Sequence, residues 1–133
     1  MKKIFFAILV LVFAAHSIAQ QSLSECVQKK WHYVSAKDAQ GKDFKKVAKT
    51  DILSIKTYNG QNKFRYDIAQ ENIHASGTWE LKDSTLVFTY NLKPTDADTT
   101  RRTVRNFKIT ECTGNRMVFT EKGITFTFSD GNP

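Results

Sequence analysis

The sequence predicts an all-β fold: an antiparallel, up-and-down barrel of eight strands, entered through one short helical turn. Three observations carry that expectation. Apolar and polar residues alternate at period two along most of 31–129, the pattern of strands with one buried and one solvated face. The breaks between the alternating runs hold turn residues, among them Asn59-Gly60 and Lys122-Gly123, which favour hairpins. No long crossover separates consecutive runs, so neighbours pair as a meander, and closing a meander removes its exposed edges. A two-sheet sandwich is the competing arrangement, and strand number alone does not separate the two.

The elements follow in order. Lys2 and Lys3 precede an unbroken apolar run from Ile4 to Ala15, and Ser17-Ile18-Ala19 supplies small residues for cleavage. This is the pattern of a secretory signal peptide, 1–19, removed after Ala19. The run is short for a membrane span and no second one follows, so a soluble mature chain without a span is expected. No cysteine sits at the cleavage point, which argues against a lipid anchor. Ser22-Leu23-Ser24-Glu25 matches a capping box, and Leu23, Cys26 and Val27 fall on one face of a short helix. From Trp31 the period changes to two. Strands are expected at 31–37, 51–58, 63–69, 77–82, 85–91, 102–110, 115–121 and 124–129, with turns at Asn59-Gly60, Lys82-Asp83-Ser84, Thr113-Gly114-Asn115 and Lys122-Gly123. Phe64, Tyr66 and Ile68 share a face, as do Gly77, Trp79 and Leu81, then Leu86, Phe88 and Tyr90. Phe107 with Ile109, Met117 with Phe119, and Ile124, Phe126 and Phe128 complete the set. Two loops, 38–50 and 92–101, exceed what hairpins require.

Removing residues 1–19 from 133 leaves 114, one domain's worth of chain, 20–133. Lys2 and Lys3 leave with the signal, so the formal charge falls from +7 to +5. The basic residues are spread along the chain and form no stripe interleaved with aromatics, which argues against a nucleic-acid groove; attraction to anionic surface polymers or lipid headgroups is their functional reading, and solubility the plainer one. The two cysteines, Cys26 and Cys112, are an even pair in a chain addressed to an oxidising compartment and are expected to be bridged. Periplasmic and extracellular destinations are equally compatible with this address.

Trp31 at the head of the first strand, and Gly77-x-Trp79-x-Leu81 followed by Leu86-x-Phe88, together with the signal peptide and helical turn, resemble the small secreted lipocalin-like proteins of Gram-negative bacteria. The resemblance spans 26–129. It implies an up-and-down barrel, a helical turn closing one end, and an interior that binds a small apolar or amphipathic molecule without catalysis. Lys29-Lys30 stand before Trp31, where longer lipocalins carry a Gly-x-Trp, and the chain's own Gly-x-Trp lies in the fourth expected strand.

The candidate ligand-binding residues are the inward row Tyr66, Trp79, Phe88, Tyr90, Phe107, Phe119 and Phe126, with Arg105. The aromatics can equally fill the barrel as its core, since an eight-strand barrel has room either for side chains or for one small ligand. Arg105 shares the face of Phe107 and Ile109, so a regular strand points it inward, where a guanidinium needs an anionic partner. With Tyr66 or Tyr90 it would anchor a ligand carboxylate. Otherwise it snorkels at the rim, or a bulge turns it out. A filled barrel would work instead through loops 38–50 and 92–101 as a protein-interaction or inhibitory module.

No catalytic constellation emerges. His32 falls in the first expected strand and His74 in a loop before the fourth, with no nucleophile elbow, zinc helix or paired carboxylates beside them. Asp96-Ala97-Asp98 lacks the glycine and terminal glutamate of a calcium loop. No metal, cofactor or nucleic acid is expected, and a monomer is.

Overall fold

The computed structural model describes residues 22–44, 51–68, 73–92 and 101–131. Among them eight strands follow one another: β1 Lys30–Lys37, β2 Ile52–Tyr58, β3 Gln61–Ile68, β4 Ile73–Lys82, β5 Thr85–Leu92, β6 Arg101–Cys112, β7 Arg116–Glu121 and β8 Ile124–Ser129. Each pairs antiparallel with its chain neighbour, and β8 returns to β1, closing a barrel. Closure decides against the two-sheet sandwich. The expected signal peptide, 1–19, lies outside the described residues, as does Asp96-Ala97-Asp98.

The period-two pattern translates directly into the wall. Antiparallel partners share a face, and the ladder sets Leu53 opposite Tyr66, Phe64 opposite Gly77, Trp79 opposite Phe88, and Leu86 opposite Phe107. These apolar partners line the inside. β4 begins four residues before the expected start, because Ile73-His74-Ala75-Ser76 pairs with the end of β3 although small and polar residues mask its alternation. His74 therefore belongs to β4, opposite Asp67, and not to a loop. Bulges interrupt the β1–β8 ladder between Tyr33 and Ser35 and the β6–β7 ladder between Ile109 and Glu111. Such bulges sharpen the local twist that a closed barrel requires.

The connections sort by end. At one end lie the tight turns at 59–60, 83–84 and 113–115, together with the helix at 22–27. Asn59 and Gly60 both take positive φ, 50° and 73°, the geometry of a type I′ hairpin turn that suits the strand twist. At the opposite end lie the last residues of β1, β3 and β5, the first residues of β2, β4 and β6, and the short turn at 122–123. We call these the closed and open ends.

The helix seals the closed end along the face its spacing predicts. Val27 is wholly buried and Leu23 packs on the core. Cys26 is bridged to Cys112. Trp31 Nε1 donates to the Val27 carbonyl at 2.9 Å, so the buried indole N–H joins the Lys29 N–H on one carbonyl at the helix end. The five most completely buried side chains, Trp31, Ile55, Leu86, Met117 and Val27, all lie in this half.

Gly77 has a different explanation. A Cβ built there would stand 2.0 Å from the Thr89 carbonyl oxygen and 2.9 Å from Tyr90 Cβ. Only a hydrogen fits where β4 and β5 approach this closely. The space above the glycine lies between Phe64 and Tyr90, whose rings meet edge to face at 5.9 Å.

Candidate functional site

From the floor upward the interior is a continuous run of rings. Phe64 contacts Phe88, Phe88 contacts Phe107, and Phe107 meets both Phe119 and Phe126. Phe119 reaches Phe128, and Phe128 meets Tyr33 edge to face at 5.6 Å. Centroid separations of 4.3–5.9 Å are those of favourable tilted and T-shaped pairs. Trp79 stands lower, its Nε1 donating to the Lys56 carbonyl at 3.0 Å.

Toward the open end the lining turns polar. Asp51 precedes β2 on the same face as Leu53 and Ile55, and its carbonyl accepts the Tyr33 N–H at 3.1 Å, which extends the β1–β2 ladder by one rung. The ladder therefore points a carboxylate inward, and Asp51 is only 3% exposed. Tyr66 donates its hydroxyl to Asp51 Oδ2 at 3.1 Å. The other carboxylate oxygen, Oδ1, has no hydrogen-bond partner among the described residues, and neither has the buried hydroxyl of Tyr33. Burial, then the charge of Asp51, raises both phenols: Tyr33 is pushed up to about 12 and Tyr66 well above the ordinary phenol range. Both stay protonated, able to donate and to accept.

Arg105 occupies the neighbouring part of the wall. The β5–β6 ladder is regular from Thr85↔Lys108 to Leu92↔Arg101, and it sets Arg105 opposite Phe88. The guanidinium is thus turned inward with no bulge to redirect it. Its partner is Glu121, through Nε to Oε2 at 2.9 Å and Nη2 to Oε1. This forked geometry suits an arginine and a carboxylate. The guanidinium also lies over the Phe107 ring, 4.8 Å from its centroid, and Tyr90 interacts with it from β5. The Glu121 side chain is 14% exposed and that of Arg105 41%, so the pair sits inside the mouth with the arginine toward solvent.

Residues 27–119 match the model of a family described as a lipocalin-like domain. The chain belongs to the lipocalin-like family. Two solved structures share the fold. A lipocalin-like protein from Bacteroides uniformis aligns with a TM-score of 0.58 at 11% identity, over 78% of this chain and 97% of that one. An uncharacterized protein from Bacteroides eggerthii aligns at 0.55 and 16% identity, over 77% and 98%. No curated protein matches the sequence.

In this lipocalin-like barrel all eight residues singled out from the sequence face the interior, but they divide. Phe88, Phe107, Phe119 and Phe126 share the ring run, and Trp79 stands below it. Tyr90 and Arg105 form one polar group with Glu121, and Tyr66 forms another with Asp51 and Tyr33. Three polar members, Tyr33, Asp51 and Glu121, escaped the sequence reading. Period two would have reached each of them, as Trp31-x-Tyr33, Asp51-x-Leu53 and Phe119-x-Glu121. Only the assumption that inward means apolar hid them. His32 and His74 lie on β1 and β4, with two strands between them, and the described residues contain no group of three potential metal ligands. No helix among them is long and apolar enough to cross a membrane.

Proposed function

We propose that this lipocalin-like protein is a non-catalytic binding protein that holds a small apolar or amphipathic molecule inside its barrel. The observation that carries the reading is the pair of orphaned polar atoms at the open end, Tyr33 Oη and Asp51 Oδ1, set against a wall of aromatic rings. A barrel filled only as a core gains nothing from a buried hydroxyl and carboxylate oxygen without partners, each costing about 1–3 kcal/mol. A binding site needs this combination: apolar lining with few polar groups that orient the guest. Tyr66, Tyr90 and Arg105 frame the mouth, Phe88, Phe107, Phe119 and Phe126 supply the walls, and Trp79 reports from below.

The Cys26–Cys112 bridge and the charged-then-apolar N-terminus support export to an oxidising compartment, periplasmic or extracellular, with residues 1–19 removed. Native mass spectrometry of the exported protein, purified without detergent and then incubated with a lipid extract, tests the reading. A dissociable small-molecule mass is expected. A protein that stays bare after that incubation shifts function to the open-end loops. There Phe44, 59% exposed beside the Lys37–Asp43 bridge, would meet a protein partner.

A further inference from the structure

The interior charges are not free to greet any head group. Arg105 is the inward guanidinium an acidic ligand would seek, and Glu121 already holds it through two hydrogen bonds. A carboxylate guest would have to displace Glu121, leaving that side chain, 14% exposed, without its cation. It would also bring a second negative charge near Asp51. The Asp51 carboxylate, in contrast, has one oxygen on Tyr66 and one with no hydrogen-bond partner among the described residues. With Arg105 already held by Glu121, Asp51 Oδ1 is the inward carboxylate oxygen that the described residues leave without a donor.

We propose that the head-group position of this barrel selects an apolar amine: a protonated amino group donating to Asp51 Oδ1 and to the Tyr33 hydroxyl, with its hydrocarbon body along the aromatic wall. The inference rests on the binding function proposed above and deepens it by naming the ligand's chemistry. A charge-assisted hydrogen bond to a buried carboxylate is among the strong ones. The rings of Tyr33 and Phe128, in contact at 5.6 Å, add faces that attract a cation. Because the Asp51 charge helps hold Tyr33 and Tyr66 as phenols, the Tyr33 oxygen keeps lone pairs for the ammonium while its own proton stays available to a second acceptor. Water is the competing occupant of the same two atoms, since polar cavities with two or more partners hold it.

Three probes with one tail and different heads decide the matter: octylammonium, octanol and octanoate, titrated calorimetrically into the disulfide-intact protein. Displacement of neutral Nile red serves as a second readout. Octylammonium should bind about tenfold or more tighter than octanoate, with octanol between them. Asp51→Asn should abolish that preference. Tyr33→Phe, which keeps Asp51 in place and tests the site if the first variant does not fold, should weaken octylammonium about threefold or more. Octanoate binding as tightly as octylammonium overturns the inference, as does a preference that survives Asp51→Asn or an affinity untouched by Tyr33→Phe. Nile red uptake with no head-group preference overturns the amine alone and leaves interior binding standing. Failure of the dye and all three probes to enter overturns both.

Discussion

The two ends of the barrel are built from the same strands and obey opposite rules. At the closed end Trp31, Ile55, Leu86, Met117 and Val27 are the most completely buried side chains, and the disulfide fastens the helix over them. At the open end the same inward register delivers Tyr33, Asp51, Tyr66, Arg105 and Glu121. Each strand therefore runs from a packed, apolar half into a polar one. The difference teaches that alternation specifies which way a residue points, while the chemistry placed there decides whether the position stabilises the fold or serves a guest. Stability is concentrated where the chain turns tightly, and the unsatisfied groups gather where its connections lengthen. Proteins tolerate buried polar groups without partners at functional sites because the rest of the fold supplies the stability.

The largest effect should come from cutting the closed end loose. The bridge joins positions 86 residues apart, so replacing both cysteines by serine should remove about 4.5 kcal/mol in the chain-entropy model. Denaturant unfolding measures it. The helix then keeps Val27, Leu23, the Trp31 N–H bond and the bond from the Thr57 N–H to the Gln28 side chain, so hydrogen exchange at 22–28 should speed up well before the strands exchange. Leu86→Ala comes next. Leu86 has no exposed surface, and a cavity there should cost about 3 kcal/mol. Ligand affinity should be unchanged in both variants if the two ends are functionally separate. A loss of affinity as large as the loss of stability would dissolve the distinction.

Much of this was legible in the chain. Every strand announced itself by period two, and Asn59-Gly60 and Lys122-Gly123 marked hairpins because both turns need residues tolerant of positive φ. The first turn of β4 was hidden because Ala75 and Ser76 present no hydrophobic contrast, although their backbone pairs with Tyr66 and Arg65. The candidate site was legible in its rings and in Tyr66, Tyr90 and Arg105, and not in Tyr33, Asp51 and Glu121. Arg105 was visibly out of place, and the expected meander sets its strand beside the one that carries Glu121, but an inward carboxylate there runs against the rule that inward positions are apolar. Asp51 was hidden for a different reason. A charge at a strand's edge ordinarily points to water, and only the rung it shares with Tyr33 shows otherwise.

Alkaline pH separates the ends without a mutation. Tyr33 and Tyr66 titrate above the unfolded value of 10.0, Tyr33 at about 12. The folded state holds these protons more tightly than the unfolded chain, so stability falls as pH rises wherever the unfolded chain binds fewer protons. Their contribution is complete below 10.0; that of Tyr33 is lost as pH climbs through about 12, and that of Tyr66 at still higher pH. Phenol ionisation followed by ultraviolet absorbance should therefore lag for these two residues. The lag should vanish in denaturant. If both titrate at the unfolded value in the native protein, Tyr33 and Tyr66 do not keep the buried surroundings beside Asp51 described above.

Tyr33→Phe should give the smallest change, and its sign is the informative part. Removing a buried hydroxyl that has no partner should stabilise the empty protein by about 1 kcal/mol, the reverse of what large-to-small changes do at the closed end. The ring, its edge-to-face contact with Phe128 and the backbone bond to Asp51 all persist. The alkaline loss of stability should also become shallower, because one of the two raised phenols is gone. Thermal melts of the two proteins at neutral and at high pH read both effects. A variant that is more stable when empty and binds its guest less tightly is what a functional hydroxyl produces. A variant that loses stability would mean that the Tyr33 hydroxyl is already satisfied in solution and belongs to the framework, as Trp31 does at the other end.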